Sequence, residues 1–173
     1  MKKTHVNNAN PFIFIILFAG LFIAQSYAYQ MARGTWLEYC LIDQLTLKPS
    51  ALLLTNILPQ DNVQARGRQL VSNTTQITVL NGCEGTESIF LLIAAILAFR
   101  ASWQHKLVGV LFGIVFIFLL NKVRIVSLFL ALRYNRQWFH WIHAYIGPTL
   151  IIFMSCLFFL SWLYVIRKQH TTQ

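Results

Sequence analysis

Four long apolar runs set the strongest limit on how this chain can fold. A helix that crosses a membrane needs about 20 predominantly apolar residues in succession. Runs of this kind lie at residues 11–29, 86–103, 107–132 and 142–166. Hydrophobic residues make up 57% of the sequence, above the roughly 45–50% that is usual in soluble domains. We therefore predict an all-α polytopic membrane protein with about four transmembrane helices, in a single integral membrane domain over residues 1–173.

The first apolar run also fits a second interpretation. Lys2 and Lys3 give it a basic start, and residues 24–28 resemble a cleavage site, which is the pattern of a secretory signal peptide. Pro11 suits the first turn of a helix, and the apolar stretch that follows it is long enough for a full span. We favour a retained transmembrane helix and leave the cleaved signal peptide as the alternative.

The distribution of charges indicates an orientation. The chain has 14 Lys and Arg residues against 5 Asp and Glu, and all five acids lie between residues 30 and 90. With the N-terminus inside, the inner flanks hold six basic residues and no acid, whereas residues 30–87 hold four basic residues against five acids, a net charge of −1. Because cytoplasmic flanks carry the excess of Lys and Arg, we predict that both termini are cytoplasmic. This charge belongs to membrane flanks, so the expected contacts are with lipid and not with nucleic acid.

Residues 30–85 form the one sizeable segment outside the predicted spans, and we place them on the extracytoplasmic side. Residues 36–58 mix apolar and polar side chains at helical spacing, which predicts a helix at the membrane interface, with Pro49 as an interruption. β-Branched residues are frequent over residues 69–80, which predicts a short β hairpin. This hairpin would lead directly into Asn81-Gly82-Cys83.

Cys83 is the first candidate for chemistry. Gly82 and Gly85 lie on either side of it and give the backbone freedom and close access. A turn that enters a helix here would place the thiol near the helix N-terminus, where exposed N–H groups and the helix dipole favour the thiolate nucleophile. The alternatives are a disulfide with Cys40, since both would lie on the oxidising side, or an unreactive thiol. No CxxC sequence is present to suggest a thiol–disulfide relay.

Arg124 is the second candidate, because it interrupts a long apolar run. At about 1.5 Å per residue it lies about 26 Å beyond Leu107, close to the far edge of a hydrocarbon core roughly 30 Å thick. An arginine at this depth is costly and usually faces a partner or a water-filled cavity. Its fixed fork of N–H groups suits a developing oxyanion, and Asn121, one turn earlier, would orient it or donate a further hydrogen bond. The alternative is that Arg124 reaches out to lipid headgroups, as we expect of Lys122.

Two histidines, His140 and His143, lie at the beginning of the last run. An imidazole can take a proton from a thiol and return it to a leaving amine. Spacing alone does not separate the two, and the aromatic residues around them also fit an interfacial belt. A zinc site built from both histidines with Cys83 and Glu84 lacks HExxH or paired CxxC spacing, so we predict no metal and no cofactor. If the predicted orientation is right, Cys83, Arg124 and His143 meet at the outer face of the membrane.

Three short motifs resemble the exosortase/archaeosortase family. They are Asn-Gly-Cys-Glu-Gly-Thr-Glu at 81–87, Asn-Lys-Val-Arg-Ile-Val-Ser-Leu at 121–128 and Trp-Phe-His-Trp-Ile-His-Ala-Tyr at 138–145. The resemblance covers about residues 68–166, and the short chain with its Asn-Gly-Cys sequence is most similar to exosortase H. Glu84 departs from the smaller polar residue expected in relatives at that position.

The resemblance implies a catalytic set, an activity and a location. Cys83 would be the nucleophile, Arg124 the transition-state stabiliser, and His143, rather than His140, the general acid/base. The protein would be a membrane-embedded cysteine protease or transpeptidase acting on secreted proteins that carry a C-terminal sorting signal. That signal would consist of a short motif of the IPTL-CTERM type, a transmembrane helix and a basic tail. Cleavage through a Cys thioester, with transfer to an unidentified acceptor, would occur on the periplasmic side of a bacterial inner membrane.

Two other classes of function remain open from the sequence. In a non-enzymatic assembly or scaffold protein of a surface-export system, the polar residues would serve only to pack helices. In a small transporter, Arg124 would bind an anion, although the sequence has no inverted repeat of the kind found in many transporters.

Overall fold

The structure is a computed structural model that describes residues 11–79 and 85–171. These residues are mainly helical, with one small β-sheet. The α-helices are α1 (Pro11–Met31), α2 (Trp36–Tyr39), α3 (Lys48–Ile57), α4 (Thr86–Ala98), α5 (Trp103–Tyr134), α6 (Arg136–Trp141) and α7 (Gly147–Thr171). Two π-helical segments lie at Cys40–Leu47 and Ile142–Ile146, and a 3₁₀ turn lies at Pro59–Asp61. The strands are β1 (Gln64–Arg66), β2 (Gln69–Val71) and β3 (Gln76–Thr78).

Three helical stretches within the described ranges are long and apolar enough to cross a membrane. They are α1, α5 and the run Arg136–Lys168, in which α6, the second π-helical segment and α7 follow one another. The prediction of a helical membrane protein is therefore supported. The second predicted span is a shorter apolar helix, since α4 has 13 residues and is about 20 Å long against a core of roughly 30 Å. Four complete spans are thus not confirmed.

α4 lies at the centre of the bundle and packs against α1, α5 and α7. On the α1 side, the rings of Tyr29 and Phe90 meet edge to face with centroids 5.6 Å apart. Because α5 runs opposite to α4 and α7, the beginnings of α4 and α7 lie with the last third of α5 at one end of the bundle, which we call the Gly85 end. The opposite end, where α4 ends and α5 begins, is the Arg100 end.

Close backbone approach holds the Arg100 end together. A Cβ atom added to Gly109 of α5 would collide with Nε1 of Trp162 on α7. The same Nε1–H donates a hydrogen bond to the backbone oxygen of His105 at 3.1 Å. Lys106 Nζ donates to the backbone oxygen of Leu97 at 2.7 Å, near the end of α4. Small residues at such positions let membrane helices approach closely, where van der Waals packing holds them together.

A second hydrophobic cluster joins the segment 40–79 to the last turns of α5. All of its members named here are buried. Ile42, Leu47 and Leu54 come from the helical residues 40–57, Leu70 and Ile77 come from the sheet, and Ile125, Leu128 and Phe129 come from α5. An ion pair between Asp61 of the 3₁₀ turn and Arg133 of α5 adds to this contact. With 32 residues, α5 is about 48 Å long and exceeds the thickness of the hydrocarbon core. Its last turns therefore serve as the support on which the segment 40–79 folds.

The predicted interfacial helix and β hairpin both have counterparts in the structure. Residues 36–57 form one helical run, which continues through Pro49 in the first turn of α3. The π-helical segment Cys40–Leu47 precedes this turn. Leu54 is buried, whereas Leu52, Leu53 and Ile57 remain exposed. The hairpin is a three-stranded antiparallel sheet in the order β1-β2-β3.

Candidate active site at the Gly85 end

The structure describes four of the six residues singled out from the sequence. Gly85, Asn121, Arg124 and His143 are described, whereas Cys83 and Gly82 lie outside the described residues, as do Asn81 and Glu84. The alternative in which Cys40 pairs with Cys83 falls outside them too and stays a prediction. The described residues contain no group of three His, Cys, Asp or Glu side chains placed to hold a metal ion.

Gly85 and Asn121 form a close contact between α4 and α5. Gly85 immediately precedes α4 and has φ +83°, a left-handed conformation that favours glycine. A Cβ atom added to it would lie 2.9 Å from Cγ and 3.2 Å from Nδ2 of Asn121. Asn121 itself is 1% exposed within an otherwise largely apolar helix. The backbone angle and the approach of Asn121 therefore both require glycine at position 85.

Arg124 lies across the beginning of α7. A Cβ atom added to Gly147 would lie 2.8 Å from Nε and 3.2 Å from Cδ of Arg124. The Nε–H of Arg124 is buried and has no hydrogen-bond partner among the described residues. A buried donor without an acceptor is costly, and such a group is expected where a ligand or a transition state supplies the missing acceptor.

The two candidate histidines occupy different environments. His143 is half-buried, and its ring stacks on Phe139 with centroids 5.6 Å apart and an angle of 3° between the planes. It lies within electrostatic range of Arg124. His140 is exposed, and its ring meets Tyr145 at a centroid distance of 6.3 Å and an angle of 74°. The two histidines therefore differ in burial and in the aromatic ring that each contacts.

His143 lies in a π-helical turn that the sequence reasoning missed. The turn spans Ile142–Ile146, and the N–H of Gly147 donates to the backbone oxygen of Ile142, five residues earlier. Turns of this kind are rare and frequently occur at functional sites. The available signal was the Gly147-Pro148 pair inside an apolar helical run, because a proline in a helix removes a backbone hydrogen bond. Gly147 is thus a site residue that the sequence reasoning did not identify.

Lys122 lies on a different face of α5 from Arg124. Its Nζ stands 4.2 Å from the centroid of the Phe118 ring, an arrangement that permits a cation–π interaction. Two residues along a helix project in nearly opposite directions. Arg124 is thus the basic side chain of this turn that contacts α7.

The fold and this site define a class: a helical membrane protein with a polar cluster at one end of its bundle. The family model described as transmembrane exosortase matches residues 44–162, more than half of the chain. The chain belongs to the transmembrane exosortase family, and the resemblance noted in the sequence is confirmed. Members of this family are generally cysteine-protease-like or transpeptidase-like membrane proteins involved in sorting. Searches of curated proteins and of solved structures each give no match.

Proposed function

We propose that this protein is a membrane-embedded cysteine protease or transpeptidase that cleaves a C-terminal sorting signal from secreted proteins. Cys83 is the nucleophile, Arg124 stabilises the oxyanion and His143 is the general acid/base. The observation that carries the proposal is the cluster at the Gly85 end. There Arg124 contacts the first turn of α7 beside His143, and Asn121, one turn earlier on α5, contacts Gly85.

Chain connectivity supports the inclusion of Cys83. Only one residue separates Cys83 from Gly85, and successive Cα atoms are about 3.8 Å apart. The covalent chain therefore keeps the Cα of Cys83 within about 7.6 Å of the Cα of Gly85. This bound follows from the covalent chain alone and supports the inclusion of Cys83 in the proposed site.

The proposed reaction has two halves. His143 takes the proton of the Cys83 thiol, and the thiolate attacks the scissile carbonyl carbon to form a C–S bond and an oxyanion. Arg124 donates hydrogen bonds to that oxyanion. His143 returns the proton to the leaving amine as the C–N bond breaks, and a thioester remains on Cys83. An acceptor nucleophile or water then gives a proton to His143 and attacks the thioester carbon. The C–S bond breaks, and His143 returns the proton to the Cys83 sulfur, so that the thiol is restored.

The charges of the chain support an orientation for this reaction. Arg100, Lys106, Arg167 and Lys168 lie at the Arg100 end, where the described residues include no acid. Cytoplasmic flanks carry such an excess, so we place the Arg100 end and both termini in the cytoplasm. The Gly85 end then faces the periplasm of a bacterial inner membrane. The substrate's apolar helix lies beside the bundle, and its motif, of the IPTL-CTERM type in a protein similar to exosortase H, reaches the Gly85 end.

A reporter assay tests the proposal. The reporter is a secreted domain followed by an IPTL motif, an apolar helix and a basic tail, expressed together with the full-length protein. Cys83→Ala should abolish cleavage. Arg124→Lys should lower the rate by about 10²–10³, the cost of losing one oxyanion donor, because lysine lacks the planar fork. Unchanged cleavage in Cys83→Ala would rule out the mechanism.

The two histidines provide a matched pair of variants. His143→Ala should lose cleavage, whereas His140→Ala should retain it, since His140 is exposed and meets Tyr145 edge to face. Mass spectrometry of the purified protein after brief incubation with the reporter should detect an acyl adduct on Cys83. In the rival scaffold function, export would persist in all of these variants and no adduct would form.

A further inference from the structure

A cleft between α1 and α4 opens beside the candidate active site. Its volume is about 260 Å³, and it is lined from the α1 side by Phe22, Ser26 and Gln30 and from the α4 side by Thr86 and Phe90. Thr86 directly follows Gly85. The cleft therefore begins next to the turn that contacts Asn121, but none of the steps proposed above uses it.

The floor of the cleft is apolar and preformed. The rings of Tyr29 and Phe90 meet edge to face at 5.6 Å, and Phe22 stacks on Phe18 at 6.5 Å with an angle of 13° between the rings. Such aromatic pairs are stabilising beyond the area they bury. A floor of this kind favours an apolar group and does not depend on a ligand for its shape.

The edge of the cleft is polar and close to neutral. It is lined by Gln30, Arg33 and Glu87, which supply a side-chain amide, one positive charge and one negative charge. Groups of this kind can hydrogen-bond the N–H and C=O groups of a peptide, and their opposite charges select neither a basic nor an acidic ligand. An apolar side chain with peptide backbone on both sides matches the floor and the edge together.

The volume limits the occupant further. Sites for drug-sized ligands usually measure about 300–1,000 Å³, so a cleft of about 260 Å³ suits one large side chain better than a cofactor. Within α1, which is described over its whole length, Tyr29 is the one buried residue. Most of the surface of α1 is therefore left to the lipid, from which a substrate tethered to its own transmembrane helix would approach.

We propose that this cleft is the specificity subsite that receives an apolar side chain of the sorting motif next to the scissile bond. The identity of the substrate as a motif-bearing polypeptide rests on the proposed function. The binding event itself does not require the chemistry at Cys83, and the two can be tested apart.

Photocrosslinking tests binding in the full-length protein in native membranes. A short alkyl diazirine amino acid, whose side chain is smaller than that of phenylalanine and leaves room in the cleft, replaces Ser26, which lines the cleft, or Ala24, which lies on the exposed face of the same helix. Both variants carry Cys83→Ala so that the reporter is held without turnover. Position 26 should crosslink the reporter several-fold more than position 24, and the difference should disappear when the apolar residues of the motif are changed to Asp. Equal crosslinking at the two positions, or none at position 26, would overturn the subsite.

Filling the cleft tests its part in cleavage. Ser26→Phe should lower reporter cleavage at least tenfold, whereas Ala24→Phe should leave it at the wild-type rate. Labelling of Cys83 by an impermeant maleimide should be equal in both, which shows an intact site. Normal cleavage in Ser26→Phe would contradict the subsite and leave the proposed function standing. Crosslinking at position 26 together with cleavage that persists without Cys83 would contradict the mechanism and support the subsite.

Discussion

A single methyl group added to Gly147 should disable Arg124 without unfolding the protein. The new Cβ atom would lie 2.8 Å from Nε of Arg124 and 2.8 Å from the backbone oxygen of Ile142. An ordinary contact begins at 3.4 Å, so both contacts must lengthen by at least 0.6 Å. The backbone oxygen of Ile142 is held by the N–H of Gly147, so the turn must adjust as a unit, and the side chain of Arg124, which has rotatable bonds, moves in addition.

The size of the effect follows from what Arg124 is proposed to do. Misplacement of a catalytic group by about 1 Å costs up to about 10²-fold in rate, and complete loss of an oxyanion donor costs about 10²–10³-fold. We expect Gly147→Ala to lower reporter cleavage by about tenfold to 10²-fold on this basis. Overpacking costs about 1–3 kcal/mol, of which the better helix propensity of alanine recovers about 1 kcal/mol, so the variant should still fold.

The assay compares two glycines that both lie in helices. Gly20→Ala is the matched control, because a Cβ atom there meets nothing within 4 Å, and its cleavage rate should equal that of the wild type. If Gly147 acts through Arg124, adding Gly147→Ala to Arg124→Ala should lower cleavage no further than Arg124→Ala alone. Equal cleavage rates in Gly147→Ala and Gly20→Ala would refute the reasoning. So would a Gly147→Ala, Arg124→Ala double variant in which the two losses of rate multiply.

Two further predictions concern stability. The backbone N–H of Gly34 donates to Oε2 of Glu38 at 2.8 Å, and a guanidinium nitrogen of Arg68 lies 2.6 Å from Oε1. These contacts hold the pKa of the Glu38 carboxyl below its ordinary value. The resulting stability is present above the unfolded pKa of about 4.3 and is lost as the pH falls through the folded pKa. Glu38→Gln should therefore weaken the acid dependence of the unfolding temperature measured in detergent, and an unchanged pH profile would contradict this. Gly109→Ala should cost about 1–3 kcal/mol through overpacking against Trp162, seen as a lower unfolding temperature than in Gly20→Ala.

The helices of the bundle were largely predictable from sequence, because lipid requires that a spanning segment satisfy its backbone hydrogen bonds internally. Apolar runs therefore locate α1, α5 and α7 to within a few residues. The end of α4 was not located from the sequence, since the apolar run continues without a break into Phe99, whereas Phe99 already has extended backbone angles. Nζ of Lys106, on α5, donates a hydrogen bond to the backbone oxygen of Leu97 near the end of α4. A side chain of the next helix therefore satisfies one of the last carbonyl groups of α4.

The candidate site was also only partly predictable from the sequence. Asn121 and Arg124 could be singled out because polar side chains in apolar runs are costly and rarely idle, whereas the preference for His143 over His140 came from the family resemblance. Gly147 could not, since its importance comes from a side chain on another helix that the sequence alone does not bring near it. The strand β1 escaped prediction for a different reason: its three residues, Gln64–Arg66, are too few to show an alternating pattern.

The lengths of the helices indicate how deep the candidate site would lie in a hydrocarbon core of ordinary thickness. From Trp103 at the Arg100 end, Asn121 lies about 27 Å along α5 and Arg124 about 32 Å, close to the limit of a core roughly 30 Å thick. Non-helical backbone at this depth is tolerated only where protein buries it or water reaches it, and the side chain of Asn121 covers the turn at Gly85. The same rule applies to a substrate, whose scissile bond must leave its own helix before a thiolate can attack it. Under the proposed function, the Gly85 end therefore lies at a depth where the scissile peptide can be extended while the rest of the signal remains a helix in lipid.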